Sequence, residues 1–193
     1  MAFCIITNGS NTNHLFSNIK QCIENGILGV NGDYKYIDLN EFDFRRCTGD
    51  RCVELEFDIY SAFGCKRSNE CIKEHNKEET EKIYGSLLDC GNIIFLLDTE
   101  SKDSKNKFHI FAEGLREKIY SEEKAKRLFF QKKALYVVVD NKSYSRYDAM
   151  SGILELIKRF GIKCIDTFSV NKGNVDYMLD VLEVAVPALN KCM

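Results

Sequence analysis

Two unbroken apolar runs, Ile93-Ile94-Phe95-Leu96-Leu97 and Ala134-Leu135-Tyr136-Val137-Val138-Val139, constrain this chain more than any other feature. Each has the length of a strand and lacks the polar alternation of a sheet with one wet face, so each reads as a strand covered on both sides. Three further strand-sized segments are Phe3 to Thr7, Tyr34 to Leu39 and Ile162 to Phe168. Between the strands, apolar residues recur at helical spacing. Leu15, Phe16, Ile19, Cys22 and Ile23 mark a helix from His14 to Asn25 that should stop at Gly26. Ile83, Leu87 and Leu88 mark a second from Glu78 to Cys90, and Phe108, Phe111, Ala112 and Leu115 a third from Phe108 to Ile119. Tyr147 to Phe160, closing at Gly161, and Val175 to Leu189 complete the set. Strand and helix alternate five times, which predicts an α/β fold with a doubly wound five-stranded parallel sheet and helices on both faces. The matching strand order is 2-1-3-4-5, with a ligand crevice beyond the carboxyl ends of strands 1 and 3.

With 193 residues, the chain suits one domain spanning 1–193, interrupted by an irregular cysteine-bearing stretch at about 40–76. Hydrophobic residues make up 45% and charged residues 29%, a globular balance. A net charge of −2, with Lys and Arg scattered among Asp and Glu, removes the electrostatic case for nucleic acid. The longest apolar runs are strand-sized, so no membrane span is expected. Met1-Ala2-Phe3-Cys4 has no basic segment leading into an apolar core, so no secretory leader is expected and the chain reads as cytoplasmic. Nine cysteines, an odd number, argue against a complete disulfide framework.

The turn after the first strand, Thr7-Asn8-Gly9-Ser10-Asn11-Thr12-Asn13, is glycine and small polar residues without a carboxylate. Such a turn presents successive backbone N–H groups, backed by a helix N-terminus, to an anion. Ser10 and Thr12 add hydroxyl donors, and Asn11 and Asn13 add amide donors. An ordinary Asn-Gly turn with a Thr or Asn helix cap would use the same residues. Its place beside the expected switch point favours a phosphate. Neither a Gly-Lys-Ser/Thr ending nor a G-x-G-x-x-G fingerprint is present, which counts against a nucleoside triphosphate or a dinucleotide of the usual kind.

Three stretches resemble the NADPH-dependent FMN reductase family and its iron–sulfur flavoprotein relatives, whose fold is flavodoxin-like. They are Ile5 through Asn13, Tyr36-Ile37-Asp38-Leu39 followed by Cys47-Thr48-Gly49-Asp50-Arg51-Cys52, and Asn69-Glu70-Cys71-Ile72 with Glu81 to Leu88 and Gly91 to Phe95. The resemblance implies an FMN-binding NAD(P)H-dependent oxidoreductase passing electrons to an acceptor it does not identify. FMN phosphate would lie on Asn8, Gly9, Ser10, Asn11, Thr12 and Asn13, and the ring along loops carrying Thr99, Glu100, Asn141 and Tyr144. It also implies a homodimer and no catalytic side chain, because the flavin carries the chemistry. Two segments depart from the family pattern. Leu97-Asp98-Thr99-Glu100-Ser101-Lys102-Asp103 lacks the usual proline and aromatic, and Asp140 to Tyr147 lacks the usual glycines. A flavodoxin-like module without flavin is the corresponding alternative.

Cys47, Cys52, Cys65 and Cys71 share the irregular stretch. Iron–sulfur clusters and zinc sites both favour tighter cysteine knuckles than these gaps of four and five residues, so cluster, zinc and plain thiols all stand as readings. Cys4, Cys22, Cys90 and Cys164 fall on apolar faces and should be buried. Asp98, Glu100 and Asp103 follow strand 3 and should face the crevice, as a Mg²⁺ or proton site or a solvated loop neutralised by Lys102, Lys105 and Lys107. His14 opens the first helix near the expected anion, while His75 and His109 have no evident partner.

Overall fold

The computed structural model describes residues 2–9, 14–45, 72–99, 102–139 and 162–190. Its strands are β1 (Ala2–Thr7), β2 (Asp33–Asp38), β3 (Asn92–Asp98), β4 (Lys133–Val139) and β5 (Lys163–Val170), joined in one sheet of order β2-β1-β3-β4-β5. Every neighbouring pair runs parallel. The helices among the described residues are α1 (His14–Leu28), α2 (Ile72–Asp89), α3 (Lys102–Ser121), α4 (Glu123–Phe130) and α5 (Val175–Ala188), with a short 3-10 turn at Leu39–Glu41. The expected architecture and strand order are those observed.

Burial follows from the layering. All seven residues of β3 are buried, and so are six of the seven in β4, because helices cover both faces of these central strands. One face packs Cys4, Ile6, Phe95, Tyr136 and Val138 against Leu87 of α2, Phe108, Phe111 and Leu115 of α3, and Phe129 of α4. The other packs Phe3, Ile5, Ile94, Leu96 and Val137 against Phe16, Ile19 and Ile23 of α1 and Leu182 and Val186 of α5. Phe95 and Tyr136 stack on adjacent strands with ring centroids 4.7 Å apart.

Several boundaries differ from the sequence expectation. α1 does not stop at Gly26 but runs to Leu28. Gly26 serves instead as the point of close approach to α5, where an added Cβ would lie 3.2 Å from Val186. α2 begins at Ile72, six residues before the expected start at Glu78, and α3 at Lys102, six residues before Phe108, because both opening stretches are mostly polar. α4, which apolar periodicity did not mark, touches the core only through Ala125 and Phe129, four residues apart. Cys4, Cys22 and Cys90 are buried as expected, whereas Cys164 is exposed. It lies on β5, the edge strand, where the register to β4 shifts between Ala134 and Leu135. The expected helix at 147–160 lies outside the described residues.

Candidate functional site

The carboxyl edge of β1 is fastened from three directions. Thr7, fully buried, accepts a hydrogen bond from the Gly9 amide at 3.2 Å through its hydroxyl, closing the turn tightly. The Asn8 side chain is 1% exposed and spans to β3. Its Oδ1 accepts from the Asp98 amide at 2.7 Å and its Nδ2 donates to the Asp98 carbonyl at 3.2 Å. A side-chain amide carries the same donor and acceptor as a peptide, so this pair prolongs the β1–β3 ladder past the end of β1. Gly9 lies over Phe16 of α1, where an added Cβ would meet ring carbons at 2.2–2.6 Å. Only glycine lets the chain pass this close to the helix.

From the β2 side, Asp38 accepts the Asn40 amide at 2.9 Å, capping the 3-10 turn. That turn aims the Asn40 side chain at β1, and Nδ2 donates to the carbonyls of Asn8 at 3.1 Å and Gly9 at 3.2 Å. The two carbonyl oxygens that would repel an anion are thereby taken up. α1 starts at His14 with no acidic residue in its first turn, leaving the positive end of the helix dipole uncompensated by a local carboxylate.

Lys107 of α3 reaches the same 3-10 turn, with Nζ 3.3 Å from the Asn40 carbonyl and 3.4 Å from that of Phe42. These hydrogen bonds are to backbone carbonyls, whereas sequence spacing suggested Lys107 as a neutraliser of the carboxylates of Asp98, Glu100 and Asp103, of which Glu100 lies outside the described residues. Asp98 is buried and Asp103 is exposed in the first turn of α3, where its charge complements the helix dipole. Thr99 is also buried, and both its amide and its hydroxyl donate to the Val139 carbonyl at 3.2 Å, carrying the sheet one residue further between β3 and β4.

The segment following the 3-10 turn is pinned to α2 and α3. Phe44 packs edge-on against Phe111 with centroids 6.0 Å apart. The Asp43 amide donates to Glu79 at 3.1 Å, the Arg45 amide donates to Asn76 at 2.9 Å, and Asn76 donates back to the Arg45 carbonyl at 2.8 Å. His75 Nε2 lies 2.8 Å from the Asp43 carbonyl. The Arg45 guanidinium beside Asp43 holds its carboxyl below the usual range. Glu79 is likewise held down, first by the Lys82 ammonium and then by the Asp43 amide, against the burial that opposes it.

The sequence-derived site residues thus divide. The structure brings Asn8, Gly9 and Thr99 to the carboxyl edge, with the Asn8 amide and Thr99 hydroxyl bonded to neighbouring strands. Ser10, Asn11, Thr12, Asn13, Glu100, Asn141 and Tyr144 lie outside the described residues, as do Cys47, Cys52, Cys65 and Cys71. No group of three or more candidate metal ligands occurs among the described residues. Asn40 is the contributor that motif reading missed, and Lys107, expected beside the carboxylates after strand 3, reaches the carbonyls of Asn40 and Phe42. The spacing Asp38-x-Asn40 after a strand is a signal for the side-chain-capped turn, though nothing in it reveals the contact with Asn8 and Gly9.

No protein-family model matches the chain, and no curated sequence does. Solved structures do match it. An FMN-dependent NADH-azoreductase from Bacillus anthracis, solved with FMN, is 9% identical over 98% of this chain and 99% of its own, with a TM-score of 0.63. Azoreductase AzrA is 10% identical over 99% of this chain and 100% of its own, with a TM-score of 0.61. A flavodoxin-like domain from Synechococcus is 8% identical over 99% and 96%, with a TM-score of 0.51. Likeness at this identity speaks for architecture, and together with the strand order it establishes that the chain has a flavodoxin-like fold.

Proposed function

We propose that this chain is an FMN-binding oxidoreductase using NAD(P)H, with the FMN phosphate seated on the turn after β1. The observation that carries the reading is the capture of the Asn8 and Gly9 carbonyls by Asn40 Nδ2. A turn cleared of carboxylates and relieved of two carbonyl lone pairs, at the start of a helix without an acidic first turn, has the donor chemistry an anion requires. The likeness to an azoreductase solved with FMN supports the same ligand.

In this reading Gly9 gives the ligand room, and Ser10, Asn11, Thr12 and Asn13 supply donors to the phosphate. The buried strap between Asn8 and Asp98 holds the seat in register with β3. Thr99, Glu100, Asn141 and Tyr144 border the ring. When bound, FMN supplies the chemistry, accepting hydride from NAD(P)H and releasing electrons to an acceptor. The chain binds, orients and shields, and no catalytic side chain is assigned.

The segment Leu97 to Asp103, without proline or aromatic, favours a second reading: a flavodoxin-like module that has kept the scaffold and lost flavin. Purification followed by NADPH and NADH oxidation assays with added FMN separates the two. Yellow protein with FMN-dependent turnover supports the enzyme. Colourless protein that oxidises neither nucleotide even with FMN supports the module. Iron and sulfide analysis after anaerobic purification tests whether Cys47, Cys52, Cys65 and Cys71 hold a cluster.

A further inference from the structure

Large apolar side chains exposed among the described residues are Leu28, Tyr120, Phe130, Tyr177 and Val184, and all but Leu28 fall into two patches on opposite layers of the sheet. The first patch is the outer face of α5. Tyr177 and Val184, 69% and 72% exposed, stand two helical turns apart with half-buried Val181 between them, so they form one stripe. Asp176, Asp180 and Glu183 run down the same exposed side and enter no ion pair among the described residues. α1, which packs beside α5 at Gly26, has no lysine or arginine among its exposed residues, so it does not neutralise this edge.

The second patch is where α3 meets α4. Tyr120, in the last turn of α3, and Phe130, the last residue of α4, are 53% and 63% exposed. Lys126 joins them. Its Nζ lies 5.7 Å from the centre of the Tyr120 ring, and its place on α4 is one helical turn before Phe130. Glu122 and Glu123 at this junction are taken up by Lys118 and Lys126, at 2.8 and 2.7 Å. Exposed Lys124 and Arg127 have no carboxylate partner among the described residues, and exposed Glu117 stands one turn before Tyr120. This patch is aromatic and net positive, where the α5 patch is apolar and negative.

We propose that the two patches are the two halves of one interface between copies of this chain, with α5 of one copy docking on the α3–α4 junction of the next. Tyr177 and Val184 leave water against Tyr120 and Phe130, while Asp176, Asp180 and Glu183 meet Lys124 and Arg127. The same charges decide against the α5 stripe pairing with its own copy, which would set like carboxylates against each other. Because different surfaces meet, the contact is heterologous, and copies can add one after another instead of stopping at a symmetric pair. Its charged rims are exposed, so salt weakens it. The contact uses neither the turn after β1 nor Asn40 and stands independently of flavin binding.

Sedimentation velocity of the full chain over a concentration series tests this. The wild type should associate as concentration rises, and less so in about 0.5 M salt than in about 0.05 M. One variant, Asp180→Lys with Glu183→Lys, turns the α5 patch basic, like the α3–α4 patch it must meet. A second, Lys124→Glu with Arg127→Glu, turns the α3–α4 patch acidic, like α5. All four sites are exposed, so both variants should keep the wild-type thermal melt. Each variant alone should associate at least about tenfold more weakly, equivalent to roughly 1.4 kcal/mol. An equimolar mixture of the two should recover association, because the patches of each fit those of the other. A symmetric dimer through another surface would be present equally in every sample and cancels from the comparison. A wild type that does not associate, a lysine variant that associates more tightly than the wild type, or a mixture no stronger than its parts overturns the proposal.

Discussion

Asn8 and Asp98 are joined by two hydrogen bonds that let a side chain stand in for a peptide of the ladder, Asp98 N–H to Oδ1 at 2.7 Å and Nδ2–H to the Asp98 carbonyl at 3.2 Å. The contact is buried and links residues ninety positions apart, at the edge where β1 gives way to the turn. In Asn8→Asp the donor becomes an acceptor facing the Asp98 carbonyl, and a charge is placed in a site with 1% exposure. The expected loss is about 2–4 kcal/mol of unfolding free energy, read by urea denaturation. A loss under about 0.5 kcal/mol would show that the strap contributes no more than a surface contact.

Gly9 and Phe16 form a second tight point. In Gly9→Ala the new methyl would sit 2.2 Å from Phe16 Cε2, so the turn or the ring must move. The cost should be about 1–3 kcal/mol. Adding Phe16→Leu to Gly9→Ala should restore part of it, because the two changes share a contact and do not add. Strict additivity in urea titrations would remove the ring as the reason for glycine.

Asn40 is the test of how the turn is aimed. Asn40→Ala frees the Asn8 and Gly9 carbonyls from their shared donor while leaving the apolar core intact. FMN affinity should fall about fivefold, equivalent to roughly 1 kcal/mol, with little change in Tm. An unchanged dissociation constant would mean that carbonyl orientation does not govern the seat.

Glu79 gives a pH dependence with a definite sign. Its carboxyl is held below the ordinary glutamate value by Lys82 and the Asp43 amide. A group depressed on folding contributes stability that is present above its unfolded value and is lost as pH falls through its folded one. Thermal melts of the wild type should therefore weaken below about pH 4.5. Glu79→Gln should be less stable by about 1 kcal/mol at neutral pH, with a flatter acid limb. Exposed Asp43, depressed by Arg45, adds to the wild-type slope in the same direction. Parallel acid limbs in the two proteins would exclude Glu79 as the source.

Where a residue meets the core, its role was legible in the chain. Leu15, Phe16, Ile19, Cys22 and Ile23 were marked by spacing and all are buried on α1. The central strands announced themselves by carrying no polar face. What escaped was structure held by polar contacts at a distance. The opening turns of α2 and α3, Ile72-Lys73-Glu74-His75-Asn76 and Lys102-Asp103-Ser104-Lys105-Asn106, carry too few apolar residues to set a helical period, and α4 shows the core only two side chains. At the candidate site, Gly9 and Asn8 were visible as turn residues, yet the strap to Asp98 and the crowding by Phe16 exist only after folding. Asn40 binds carbonyls 31 and 32 residues away, a contact that no local pattern encodes.

The most direct measurement compares FMN with riboflavin, which differs only by the phosphate, through quenching of flavin fluorescence by the purified protein. If the turn after β1 seats the phosphate, FMN should bind at least about a hundredfold more tightly, equivalent to roughly 2.7 kcal/mol from the charge-assisted hydrogen bonds. Equal affinity for the two flavins, or quenching of neither, would contradict the account.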